Sequence, residues 1–173
     1  MKTRQILAIG VVLALSLSAA AAAEPDAPAV QSEGQKSFEK LKALAGSWDA
    51  TFDGQPLHVT LRVTSMGNPI MHEMKGTGPE DPITMITVDG DQLRLTHYCD
   101  VGNQPHMVGT VSPDGKTIIF NFVDATNLQP SQGGHMKSAV FNLIDTDHHT
   151  ERWDFAMTEG KPMGGVLDLK RSK

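Results

Sequence analysis

Alternation between apolar and polar residues dominates the chain from Gly46 onwards. A period of two places apolar side chains on one face of a strand and polar side chains on the other. Turn signals interrupt the alternation about every 8 to 12 residues, and several are Asp-Gly pairs, which favour tight hairpins. The pattern predicts about ten strands, at 47–53, 56–64, 69–75, 82–89, 92–99, 105–112, 116–123, 135–144, 148–157 and 163–171.

A helical period precedes the strands. Phe38, Leu41 and Leu44 recur at three-residue spacing, which predicts a short helix over 36–45 that ends at Gly46. No segment between the strands is long enough for the helix of a parallel crossover, so the strands should form an antiparallel meander. Such a meander avoids open edges by closing. We therefore predict an all-β, up-and-down barrel with the helix plugging one end.

The predicted connections differ in length between the two ends of this barrel. In an up-and-down order, alternate connections lie at the same end. The helix therefore shares one end with the short turns at 65–68, 89–91, 112–115 and 145–147. The opposite end collects the longer connections at 76–81, 100–104, 124–134 and 158–161. Binding sites lie preferentially among long loops on a rigid scaffold, so we predict the mouth of a pocket there.

The first 23 residues have the pattern of a secretory signal peptide. Lys2 and Arg4 precede an apolar run at 6–17, and small alanines follow. The run of about 12 residues is shorter than the roughly 20 that span a bilayer, so we expect cleavage rather than stable membrane insertion. The product should be periplasmic or secreted. The predicted organisation is a signal peptide at 1–23, a flexible linker at 24–35 and one barrel domain at 36–173.

Charge and motif content narrow the function. The formal net charge is −5 and there is no basic stripe, which disfavours nucleic acid and anionic membranes as partners. Cys99 is the only cysteine, so the chain forms no internal disulfide. The sequence lacks G-x-S-x-G, H-E-x-x-H and a glycine-rich phosphate loop, so we predict no covalent chemistry.

The stretch LRLTHYCDVGNQPHM, residues 93–107, carries the most distinctive chemistry. His97 and Cys99 lie two residues apart in a predicted strand, so they share a face with the apolar Leu93 and Leu95. Antiparallel pairing carries this face across the next two turns. The resulting wall predicts a pocket for a small hydrophobic or amphipathic ligand, with a solid-core interaction protein as an alternative. We predict ligand contacts from Leu95, His97, Cys99, Asn103, Met107, Phe120, Phe122, His135 and Trp153.

His97 and Cys99 also support a second alternative, a metal-binding protein or an enzyme. Imidazole and thiolate suit copper or zinc. A third ligand would have to come from His72, His106, His135 or Met107, none of which has a recognisable spacing to the pair. We therefore predict no metal site, with His97 and Cys99 as the candidates if one exists.

The strand at 148–157 raises two further points. His148 and His149 are adjacent, so they should point to opposite faces. Glu151, Trp153 and Phe155 share a face, and the turn before them can hold two or three residues, which leaves that face undecided. If it is interior, burial should raise the pKa of the Glu151 carboxyl. The alternative, which we favour, is that Trp153 lies in the core and Glu151 lies near a rim or pairs with an arginine.

The segment Leu44-Ala45-Gly46-Ser47-Trp48, with a helix before it and a strand after it, resembles the start of lipocalin-like, or calycin, barrels. The stretches LTHYCDVGNQPHM, DATNL and GHM are similar to a group of small exported bacterial proteins of unassigned role. The resemblance spans 37–171 and implies a ligand-binding barrel with Trp48 near the closed end. Its nitrobindin-like branch holds haem through a late His. The last strand here has none, so we predict no cofactor, and His135 and His149 remain the positions open to haem.

Overall fold

Ten antiparallel strands close into one barrel in the computed structural model, which describes residues 30–76 and 81–173. One helix, α1 (Glu33–Lys42), precedes the strands. The strands are β1 (Gly46–Phe52), β2 (Gln55–Val63), β3 (Ile70–Lys75), β4 (Ile83–Asp89), β5 (Gln92–Tyr98), β6 (Gln104–Val111), β7 (Thr117–Thr126), β8 (Gly134–Asp145), β9 (His148–Met157) and β10 (Met163–Arg171). Within this part of the chain, no helix is long and apolar enough to cross a membrane.

Each strand pairs with the strands before and after it in the sequence, and β1 pairs with β10 to complete the ring. The closing register joins Trp48 to Arg171. This order confirms the predicted all-β, up-and-down barrel. The predicted strand limits are accurate to within a few residues, with the largest difference at β7, which continues to Thr126 instead of residue 123.

Helix α1 begins and ends earlier than the apolar spacing predicts. Ser32 is the N-cap: its hydroxyl accepts from the backbone N–H of Gln35, and the Gln35 side chain accepts from the backbone N–H of Ser32. This capping box fixes the first turn, so residues 33–35 are helical although they were predicted to belong to the linker. The predicted signal peptide at 1–23 and the linker residues 24–29 lie outside the described residues.

The helix closes the barrel end that carries the short turns, as predicted. Phe38 and Leu41 are buried in the core. The Gln35 side chain donates to the carbonyl of Gly90 in the β4–β5 turn, and Lys40 donates to the carbonyl of Gly115 in the β6–β7 turn. Polar contacts to two turns therefore surround an apolar plug.

Trp48 and Arg171 join the segment after the helix to the last strand. The Trp48 indole N–H donates to the carbonyl of Leu44 at 2.9 Å, which places this residue at the closed end as the resemblance implies. The Arg171 guanidinium lies 4.2 Å from the Trp48 ring and donates to the carbonyls of Ala45 and Thr146. A single side chain thus connects β10, the β8–β9 turn and the segment after α1.

Candidate functional site

A cavity of about 740 Å³ lies at the end of the barrel opposite α1. Its rim includes residues of the predicted long connections, namely Asp100, Val101, Gln132 and Gly133. The part of the 76–81 connection from 77 to 80 lies outside the described residues. The barrel is therefore packed solid at the helix end and hollow at the predicted mouth.

Apolar side chains form most of the cavity wall. Methionine and aromatic residues come from β1, β3, β8 and β9, and Leu167 comes from β10. They include Phe52, Met74, Met136, Trp153, Phe155 and Met157. Flexible thioethers next to rigid rings give a surface that can adjust to the shape of an apolar molecule.

Three of the predicted ligand-binding residues, His97, Cys99 and Trp153, line the cavity. Leu95, Met107 and Phe120 face the interior, as strand parity predicts, but they belong to the packed core. The wall predicted from the sequence thus runs from the solid half of the barrel into the hollow half, and only its upper part reaches the cavity.

Asn103, Phe122 and His135 lie outside the lining of the cavity among the described residues. Asn103 is fully buried, and its amide donates to the carbonyl of Gly134 at 2.9 Å and to the Gln132 side chain at 3.2 Å. Phe122 and His135 pack against each other, with ring centroids 4.2 Å apart and ring planes tilted by 42°. Asn103 therefore fixes two mouth loops to each other.

His97 lies at the boundary between the packed core and the cavity. The residue is only 2% exposed, and its Nδ1 lies 2.8 Å from the Thr84 hydroxyl. Burial, with a further contribution from the charge of His72, lowers the pKa of His97 to about 4. The imidazole is therefore neutral at physiological pH. Its ring centroid lies 5.4 Å from that of Trp153.

Cys99 lines the cavity as a protonated thiol. Burial raises its pKa to about 11, which keeps the sulfur in its weakly nucleophilic form at neutral pH. Among the positions considered for a third metal ligand, His106 pairs with Asp124 in an exposed contact, and Met107 is in the core. Within residues 30–76 and 81–173, no group of three or more His, Cys, Asp or Glu side chains is arranged to hold a metal ion.

A fully buried carboxylate, Glu151, lies below the cavity. One oxygen accepts from His72 Nε2 at 2.9 Å and from the Trp153 indole N–H at 3.0 Å, and the other accepts from His149 Nε2 at 3.0 Å. We call His72, His149 and Glu151 the interior polar cluster. Its members are 0% exposed.

The environment of Glu151 reverses the pKa direction that we expected for an interior carboxyl. Burial does act to raise the pKa, but the charge of His72 and the hydrogen bonds from His149 and His72 outweigh it. The pKa of Glu151 is therefore well below its ordinary value, and the group is ionised. The expectation of a raised pKa was wrong because it counted burial without these partners.

The two adjacent histidines of β9 point to opposite faces, as predicted. His148 pairs with Asp168 on the outside, whereas His149 is buried, with its ring centroid 4.3 Å from that of Trp48 in a T-shaped arrangement. Two positions were open to haem. His149 lies in the packed half of the barrel, and His135 packs against the ring of Phe122.

The strand pattern alone does not resolve this cluster, although one signal in the sequence points to it. His149, Glu151 and Trp153 are spaced by two, which places two polar side chains in line with a tryptophan on one strand face. His72 belongs to β3 and lies 79 positions away from Glu151, so its contact depends on the closed barrel.

Comparison with known proteins gives a structural relative. No protein family model matches the sequence, and no curated protein matches it. Among solved structures, the chain is similar to the crystal structure of Rv2717c from M. tuberculosis, with a TM-score of 0.52 and 16% sequence identity. The match covers 79% of this chain and 98% of that chain. At this identity the similarity supports the barrel fold and carries no information on a ligand.

Proposed function

We propose that the protein is an exported, lipocalin-like barrel that binds a small hydrophobic or amphipathic molecule without covalent chemistry. The observation that carries this proposal is the apolar cavity at the loop end. Its volume of about 740 Å³ lies within the roughly 300 to 1,000 Å³ of small-molecule sites. A few polar groups interrupt the apolar wall, as is usual where a protein fixes the orientation of a ligand.

The state of the polar groups also favours binding over catalysis. Cys99 is protonated, and the carboxylate of Glu151 is fully buried and already accepts three hydrogen bonds. A nucleophile needs a thiolate or an adjacent base, and a general base needs access to its substrate. These residues therefore serve a binding pocket better than a reaction centre.

A neutral, apolar fluorescent probe tests this function directly. We expect N-phenylnaphthylamine to bind the folded protein with a rise in fluorescence. In Met136→Trp, a larger side chain occupies the cavity, so affinity should fall at least tenfold. The matched control is Lys137→Trp, which places the same side chain at the exposed neighbouring position and should leave affinity unchanged.

Circular dichroism of both variants confirms that they remain folded. Failure of the folded wild-type protein to bind the probe would overturn the proposed function. Equal affinities in the two tryptophan variants would also overturn it, because the probe would then bind elsewhere.

Export is tested separately from binding. The N-terminal pattern supports cleavage after residue 23, so the mature protein recovered from the periplasm or medium should begin at Glu24. Peptide mass spectrometry of fractionated cells gives that terminus. Recovery of uncleaved protein from the cytoplasm alone would contradict the localisation.

A further inference from the structure

The imidazole of His97 lines the cavity, and one of its ring nitrogens has no hydrogen-bond partner in the described part of the chain. The other nitrogen, Nδ1, is 2.8 Å from the Thr84 hydroxyl, whereas Nε2 has no hydrogen-bond partner within residues 30–76 and 81–173. Because Nδ1 is engaged by Thr84, Nε2 is the ring nitrogen of His97 that is left to meet a molecule bound in the cavity.

The Thr84 contact determines which nitrogen carries the proton. Thr84 is fully buried, and its hydroxyl has one hydrogen-bond partner in the described part of the chain, His97 Nδ1. A buried hydroxyl proton must be donated to avoid the cost of an unmade hydrogen bond, so the hydroxyl donates to Nδ1. A neutral imidazole has a single N–H, and it is then on Nε2. His97 thus presents one hydrogen-bond donor to the cavity.

The charges around the cavity disfavour amphipathic molecules with an anionic head group. The described lining contains the carboxylates of Asp53 and Asp100 and contains neither lysine nor arginine. An anionic head group would meet like charges at the rim and, in the interior, an uncharged imidazole. A carboxylate or phosphate ligand is therefore disfavoured at both positions.

We propose that the ligand is an uncharged, largely apolar molecule with a carbonyl or ether oxygen that accepts a hydrogen bond from His97 Nε2 inside the cavity. This inference rests on the proposed function and specifies the ligand class for the same site. Trp153, which packs beside His97 and lines the cavity, provides an aromatic surface next to the donor.

Three probes of one skeleton test the ligand class. Methyl naphthyl ketone has the acceptor, ethylnaphthalene replaces the carbonyl by methylene, and naphthoate is anionic. We expect the ketone to displace N-phenylnaphthylamine from the wild-type protein more effectively than the other two. In His97→Leu, the affinity for the ketone should fall about three- to tenfold, the range for one lost hydrogen bond, while that for ethylnaphthalene is retained. The matched control is His106→Leu, at a half-buried position where the imidazole contacts Asp124 outside the core.

Two spectroscopic measurements on the wild-type protein make the test independent of variant folding. Infrared spectra of the bound ketone should show its carbonyl stretch lowered relative to an apolar solvent. Nitrogen NMR of labelled histidine should show His97 protonated at Nε2.

Thr84→Val, which removes the donor to Nδ1, should weaken binding of the ketone.

The outcomes separate this inference from the proposed function. A protein that binds N-phenylnaphthylamine but prefers naphthoate, or leaves the ketone stretch unshifted, would overturn the ligand class and leave the binding function in place. Proton occupancy at Nδ1 would also overturn the ligand class. A protein that binds none of the probes would overturn both proposals.

Discussion

Glu151 shows at the residue scale how this barrel accommodates a charge in its interior. An isolated carboxylate loses its hydration when it is buried, and that cost is several kcal/mol. Here the two oxygens accept from two histidines and an indole, which compensate for the loss. Because Trp153 both donates to Glu151 and lines the cavity, the interior polar cluster fixes the orientation of a cavity side chain.

Replacement of Glu151 by glutamine should destabilise the protein strongly. The amide removes the charge and turns one acceptor into a donor that faces donors. We expect the free energy of unfolding to fall by about 3 to 5 kcal/mol, as when one partner of a buried pair is removed. Urea denaturation gives this value. Glu159→Gln, at an exposed position, should change it by less than about 0.5 kcal/mol, and equal losses in both variants would contradict the argument.

His97 should make the stability depend on pH. Burial lowers its pKa from 6.5 to about 4, so between these values the unfolded chain binds a proton at this residue and the folded chain does not. Acidification therefore favours unfolding, and at pH 5 the contribution is about 2 kcal/mol relative to pH 7. His97→Gln should reduce the loss of stability between pH 7 and 5 by this amount.

The comparison at each pH isolates the contribution of His97, because the other ionisable groups of the interior, His72 and Glu151, are present in both proteins. A His97→Gln profile parallel to the wild type would show that this imidazole titrates normally.

Individual side chains were predictable from the sequence where strand alternation is unbroken. His97 was assigned to the interior because β5 alternates regularly. A register shift in β8–β9 between Met136 and Ser138 breaks the alternation. Parity counted back from the buried Ala139 would therefore place His135 on the inner face, where Met136 lies instead. The position of Leu95 along the barrel axis was also not predictable, because alternation identifies the strand face on which a residue lies but not its level in the barrel.

At the scale of elements, Arg171 connects parts of the fold that are distant in sequence. Its guanidinium donates to the carbonyl of Ala45, 126 positions earlier, and to the carbonyl of Thr146 in the β8–β9 turn. Carbonyls that follow a helix need donors, and a cation is favourable near a helix C-terminus. No local sequence pattern announces such a contact, whereas α1 itself was evident from its apolar spacing.

Arg171→Met should loosen the helix from the barrel. The methionine retains some packing against Trp48 but donates no hydrogen bonds, so we expect a loss of about 1 to 3 kcal/mol. Hydrogen exchange should show faster exchange of the α1 amides than in wild type. The matched control is Arg152→Met on the outer face of β9, where the arginine pairs with Asp154 in an exposed contact, and it should be close to neutral. Unchanged α1 protection in Arg171→Met would contradict this role.

The barrel divides into a solid half that provides stability and a hollow half that provides space. Turn signals and a single buried face per strand were sufficient to predict ten strands in sequential order. The size of the cavity was not predictable, because it depends on how side-chain volumes from all strands add up at each level of the barrel.

This division predicts that stability and binding respond to different substitutions. Leu41→Ala leaves a cavity beneath the helix and should cost about 2 to 5 kcal/mol, with little change in the affinity for N-phenylnaphthylamine. Met136→Trp should lower the affinity for N-phenylnaphthylamine and change the free energy of unfolding little. Measurement of the unfolding free energy and the probe affinity of both variants tests the division, and a parallel loss of both properties in Leu41→Ala would contradict it.

The pairing of β1 with β10 also has a consequence for how the protein is made. Gly46–Phe52 is synthesised before its second neighbour, Met163–Arg171, and eight strands lie between them in the sequence. Until then, the nascent sheet has two unsatisfied borders that can recruit other chains. Long-range pairing of this kind is slow, and chaperones have the most to protect during that interval. Pairing of β10 with β1 therefore closes the barrel and removes both exposed strand edges, at which aggregation would begin, in one step.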